Sequence, residues 1–133
     1  MIPLHLQHKI TEAKEKQLKE LDLSNNYWEW KKRFTYYFKE IPSEIFELKH
    51  LEILKLNWHD IIQIPEEIKF LENLKELHLF GNTLTQLPDL LNYLPNLIYL
   101  GIRCNPHQLP LDFIKIFPKF PKNLINVNFS LEN

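Results

Sequence analysis

Three things are scarce in this chain of 133 residues, and each scarcity removes a class of function. Two glycines are too few for the Gly-rich loops that cradle phosphates. One cysteine, Cys104, allows neither an internal disulfide framework nor a Cys-based zinc site. An excess of one charge is missing too. Lys plus Arg is 16 against 17 Asp plus Glu, a formal net charge of −1, which speaks against a broadly basic nucleic-acid domain. No stretch comes near the ~18 continuous apolar residues of a membrane span. The amino terminus, Met1-Ile2-Pro3-Leu4-His5, has no charged segment leading into an apolar one. A cytoplasmic, reduced protein without membrane contact is therefore the expectation.

What the chain does have is a period. Leu74, Leu77, Leu79, Asn82, Leu84, Leu87, Pro88, Leu91 and Leu94 form one series. The same series stands 23 residues earlier (74 − 51 = 23) as Leu51, Leu54, Leu56, His59, Ile61, Ile64, Pro65, Ile68 and Leu71. It restarts 23 residues later with Leu97, Leu100, Ile102 and Asn105. Before it come Leu18, Leu21, Leu23 and Asn26, completed by Ile41-Pro42, Ile45 and Leu48; this unit starts 33 residues before Leu51 and so carries ten extra residues. Leu124, Val127 and Phe129 open a last unit.

This pattern resembles the leucine-rich repeat family in its 23-residue form, over residues 18–131. The resemblance implies an α/β fold: a right-handed solenoid whose short parallel sheet of about five strands lines the concave face, with short helical turns on the convex face. The physics agrees. L-x-L alternation puts two apolar side chains on one face of a strand. Three-residue spacing after the Pro gives a helical turn with an apolar stripe, and Pro suits its first turn. No single unit can bury its own apolar face, so the units stack. The expected organisation is one domain, 1–133. It has a helical cap at 1–17, repeats at 18–50, 51–73, 74–96 and 97–123, a final strand at 124–133 and an aromatic insertion at 27–40.

Several local expectations follow. A short polar helix at Thr11–Gln17, capped by Thr11, covers the first layer through Ile10 and Ala13. Asn26, Asn82 and Asn105, at the ninth place of their units, form a ladder of amide hydrogen bonds. His59 takes that place in the second unit; imidazole offers fewer bonds than an amide, so the turn there should be loosened or water-assisted. In the fourth unit Pro106 and the longer segment Leu111–Phe117 read as a convex helical turn. The final strand, Leu124–Ser130, looks like an open edge that pairs with a second copy or frays.

Counting the first Leu as place one, the outward places are three, five, seven and eight. Ile53, Trp58, Phe80 and Tyr99 fall there, apolar or aromatic where structure does not demand it, and Lys55, His78 and Arg103 lie among them. Exposed aromatics beside Arg are the composition of a protein-binding hot spot; the alternative is that these rings lean on neighbouring side chains. The insertion, with Trp28, Trp30 and Tyr36, has seven aromatics in fourteen residues and reads either as a functional flap or as extra end-capping. The expected function is a non-catalytic module that binds a protein partner of unspecified identity. A homodimer through the final strand is the alternative, and nucleic acid is disfavoured. No catalytic, cofactor or metal residues are expected: the six histidines fall in different layers, His5 and His8 read as a solvated pair, and Cys104 reads as a surface thiol beside His78.

Overall fold

The computed structural model describes residues 2–26, 36–84, 94–104 and 126–131, and for 103–104 and 126–131 it describes the backbone. Helix α1 spans Leu4–Glu15. It is followed by the strands β1 (Glu20–Asp22), β2 (Ile53–Lys55), β3 (Glu76–Leu79), β4 (Tyr99–Cys104) and β5 (Asn126–Leu131). All are parallel neighbours in one sheet, in chain order. Short 3-10 turns, Ser43–Glu47 and Glu66–Phe70, lie between β1 and β2 and between β2 and β3.

The period sets the register. Leu21 stands beside Leu54, Leu54 beside Leu77, and Leu77 beside Leu100. These four leucines are buried, as are Leu23, Leu56, Leu79 and Ile102 one strand step on. Each such side chain contributes roughly 1.5–3 kcal/mol through removal from water. The main chain repeats as faithfully. Glu52 and Ile53 N–H groups both donate to Lys19 O, those of Lys75 and Glu76 to Glu52 O, and those of Ile98 and Tyr99 to Lys75 O. The prolines act one position earlier than expected. Pro42 and Pro65 precede their turns, and their carbonyls accept from Ile45 and Ile68 N–H.

Two kinds of side chain stitch one coil to the coil before it. Asn82 Nδ2 donates to Leu56 O at 2.8 Å, and its Oδ1 accepts from Ile61 N–H at 3.1 Å. His59 does the same work one coil earlier: Nε2–H donates to Leu23 O at 2.7 Å, and Nδ1 accepts from Phe38 N–H at 3.0 Å. The expected loosening at His59 is thus absent. One ring donor and one ring acceptor are what the two buried backbone groups need, and the ring is fully buried against Phe38. His59 and Asn82 are the buried polar side chains among the described residues. Asn26, expected to join them, is exposed; α1, and no strand, precedes its coil. Asn105 lies outside the described residues.

A second column was not foreseen. Asn96 Nδ2 donates to Glu72 O and Asn73 Nδ2 to Lys49 O. His50, 23 residues before Asn73, donates from Nε2 to Ala13 O at 2.9 Å. In each stitching column, then, the first member is a histidine in place of asparagine: His50 ties the first coil to the cap helix, and His59 ties the second coil to the first.

The amino-terminal cap is longer than the sequence suggested. Thr11 lies inside α1, whose cap residue is Pro3, and Leu6 joins Ile10 and Ala13 in burial. Apolar spacing of four and three residues from Leu6 holds the helix on the first coil. It ends in a Schellman motif: Leu18 N–H reaches Ala13 O and Gln17 N–H reaches Lys14 O, with Gln17 at φ 50°. Leu18, at the outer edge, stays partly exposed, unlike Leu51, Leu74 and Leu97. The segment 27–35, the Leu111–Phe117 turn and Pro106 lie outside the described residues. Phe38 is already back in phase, since 61 − 38 = 23 and 84 − 61 = 23. It is buried in one column with Ile61 and Leu84.

Burial disfavours the charged imidazole, so the His59 pKa lies below its ordinary 6.5, the bond to Leu23 O opposing this only in part. A depressed histidine pKa means that the unfolded chain takes up the proton first. The stabilisation is therefore complete above about pH 6.5 and is lost as pH falls from there through the folded-state pKa. Thermal melts from pH 7.5 to 5 should show Tm falling below pH 6.5. His59→Asn should flatten that fall, and His59→Ala should cost about 3 kcal/mol above about pH 6.5, a cost that shrinks as pH falls.

Candidate functional site

The outward places of the strands make one surface. Register sets Glu20, Ile53, Glu76 and Tyr99 in one row across the sheet, and Asp22, Lys55, His78 and Gly101 in the next. Along β1 to β3 these residues alternate with buried leucines. A third row, Ser24, Asn57 and Phe80, follows where the chain leaves the strands. Ser24 Oγ accepts from Asn57 N–H at 2.9 Å, and Asn57 Oδ1 accepts from Phe80 N–H at 2.8 Å. Phe80 ends this sequence of acceptors with a ring.

The two glycines of the chain both lie on this side, and each sits under aromatic carbon. A Cβ on Gly81 would stand 2.3 Å from the Trp58 indole; one on Gly101 would stand 2.7 Å from the Phe80 ring and 3.0 Å from the Tyr99 ring. Gly101, at an outward place, is thereby buried, which the simple alternation does not anticipate. Gly81 also has φ 72°, and Trp58, its counterpart one coil earlier, has φ 58°. That left-handed conformation suits glycine and strains tryptophan. The Tyr99 ring packs on His78 with centroids 4.6 Å apart. Trp58, Phe80 and Tyr99 end half-buried: they lean on backbone, and part of each ring stays open.

Charge is distributed unevenly beside these rings. Lys55 Nζ pairs with Glu20 at 2.9 Å. That hydrogen bond, with further attraction from Glu20, Asp22 and Glu76, raises the Lys55 pKa. Glu76 Oε1 lies 3.1 Å from His78 Nε2. At the strand entrances Lys19 and Lys75 both turn to Glu52, whose carboxyl the Lys75 ammonium holds below the usual carboxylate range.

Of the residues singled out in the sequence, Ile53, Lys55, His78, Phe80 and Tyr99 share this face, with Trp58 at its margin over Gly81. Arg103 stands in β4 beside Ser130 of β5, its backbone alone described; the side chain of Cys104 is likewise outside the described residues. Trp28 and Trp30 lie outside them altogether. Tyr36 belongs elsewhere. It packs edge-on against Phe38 at 5.2 Å, its carbonyl accepts from Asn25 Nδ2, and it borders a cleft with Ile2 and Ile41. His5 and His8 are exposed on α1. Among the described residues no group of three or more His, Cys, Asp or Glu could hold a metal ion, and no helix is long and apolar enough to cross a membrane. The contribution of Gly81 and Gly101 was missed in the sequence, although glycine at an outward place beside aromatic neighbours was the available signal.

No family model and no curated protein matches the sequence. Among solved structures the chain is similar to the leucine-rich repeat domain of the type III effector XCV3220 (XopL), with a TM-score of 0.64 and 19% identity, over 96% of this chain. It spans 41% of the length of that structure. The fold is therefore that of a leucine-rich repeat domain.

Gly81→Ala should destabilise the domain by about 1–2 kcal/mol, from the positive φ and from collision with the indole. Tm should drop by several degrees and Trp58 fluorescence should shift toward that of exposed indole. Unchanged melting and emission would place the indole elsewhere.

Proposed function

Proceeding from the leucine-rich repeat fold of this chain, we propose that it is a non-catalytic protein-interaction module that docks its partner on the concave sheet face. One observation carries the reading: Trp58, Phe80 and Tyr99 are half-buried on the two glycines, fixed in place yet still open to solvent. Rings held this way lose little freedom on binding, while their remaining apolar area is available for burial. An aromatic anchor in such a setting is worth ~2–4 kcal/mol in a protein interface. Ile53, Lys55 and His78 supply the surrounding contacts, Arg103 extends the face along β4, and the aromatic insertion with Trp28 and Trp30 adds to it from the first coil. A cytoplasmic setting suits the single thiol.

A second reading concerns β5, the last strand in the sheet order. Leu23 N–H donates to Lys55 O and Leu56 N–H to His78 O, so even-numbered places bond toward the following strand. Val127, Phe129 and Leu131 hold those places in β5, and a homodimer through that edge would satisfy their backbone groups.

Affinity capture tests the first reading. Trp58→Ala combined with Tyr99→Ala should lose the captured partner by tenfold or more, while Phe70→Ser, on the convex side, should retain it. Equal capture by the wild type and the concave double variant would overturn the assignment of the face.

A further inference from the structure

Resting on that reading of the concave face, we propose that its partner presents a basic segment: an extended stretch of peptide whose Arg or Lys lies on the Tyr99 and Phe80 rings and faces the Glu76 carboxylate. The balance of charge on the face favours such a segment. The two rows across β1 to β3 hold three carboxylates, Glu20, Asp22 and Glu76, and one ammonium, Lys55. Glu20 is taken by Lys55. The lysines at the strand entrances, Lys19 and Lys75, are taken by Glu52. Lys9 reaches only the main-chain carbonyl of Asp22. Among the described residues Glu76 has no Lys or Arg within ion-pair distance; its close neighbour is His78. The face thus keeps unspent negative charge next to its rings.

Position decides what that charge can meet. Glu76 and Tyr99 are register partners on adjacent strands, on the same face. Tyr99 and Phe80 converge over Gly101 from two sides, so the strand there has no side chain of its own to fill the space above the rings. A cation laid on the rings meets the negative faces of two π systems and a carboxylate at the neighbouring strand position. Its aliphatic stem meets the apolar edge of the same rings. An acidic segment would meet the same carboxylates with repulsion. Lys55, already paired with Glu20, and Arg103, which holds the place of Phe80 one coil on, are the cations that favour it, against three carboxylates. An uncharged segment would desolvate Glu76 with only the His78 ring beside it, which is costly for a carboxylate.

The test uses the full chain and a phage-displayed library of random dodecamer peptides. Selected peptides should carry net positive charge with an aromatic or aliphatic neighbour. A selected peptide made synthetically should bind about tenfold more weakly to Glu76→Gln, a variant whose thermal melt should match the wild type. Replacing the critical Arg of the peptide by citrulline should weaken binding similarly, and the two changes together should cost less than their product. Raising salt from 50 to 500 mM should weaken the wild-type complex and leave the Glu76→Gln complex less affected. Neutral or acidic peptides that need Trp58 and Tyr99 would overturn the basic partner while leaving the docking face in place. Basic peptides that need Trp58 and Tyr99 but bind Glu76→Gln as well as wild type would do the same. Peptides indifferent to every concave substitution, or no enrichment at all, would overturn both.

Discussion

Among the described residues, the first and second coils each leave two backbone groups in the dry interior that the coil itself cannot pair: the carbonyl at the sixth place and the amide at the eleventh. The side chain at the ninth place of the next coil meets both. Asn82 does so for Leu56 and Ile61, and His59 for Leu23 and Phe38. An unpaired buried carbonyl or amide costs on the order of 1–3 kcal/mol, so this demand fixes how one coil is seated on the next, whatever the length of chain between them. The leucine columns supply most of the cohesive energy, but burial is non-directional. It is the hydrogen-bonded side chain that holds one register against the others.

That register is what gives the concave face its form. Once Leu54, Leu77 and Leu100 are aligned, the residues between them have no choice of side, and Glu76, Tyr99, His78 and Gly101 become neighbours across the sheet. Glycine then has a use on an outward place. Gly101 removes a side chain where Phe80 and Tyr99 lean in, and Gly81 combines a left-handed backbone with room for the Trp58 indole. The form of this face thus follows from the same constraint that builds the stack, with two small residues shaping where aromatic area rests.

Much of this was legible in the sequence, because a strict period of 23 leaves few alternatives for which residues share a column. The strands, the buried leucines and the outward places could all be counted off. Local chemistry that departs from the period was harder to read. The helix begins at Leu4 because Leu6, Ile10 and Ala13 share a face, while Thr11 resembled a cap only in isolation. His59 looked like a defect because an amide offers more bonds than an imidazole; in place, two bonds are all the site asks for. His50, Asn73 and Asn96 carry no hydrophobic signal, so a column read by its leucines passes over them. The ten extra residues also hid the fact that Phe38 rejoins the phase, which becomes plain only from its burial beside His59.

The buried His59 ring, which pairs two backbone groups of the first coil, is the place where this constraint is tested most directly. Long-range proton–nitrogen NMR spectra of the His59 imidazole, recorded on the folded chain at neutral pH, read the bond pattern directly. The account predicts a ring protonated at Nε2 and bare at Nδ1, with a coupling through the hydrogen bond from Nδ1 to the Phe38 amide. A ring protonated at Nδ1, or a Phe38 amide exchanging with solvent as fast as an unstructured peptide, would contradict it.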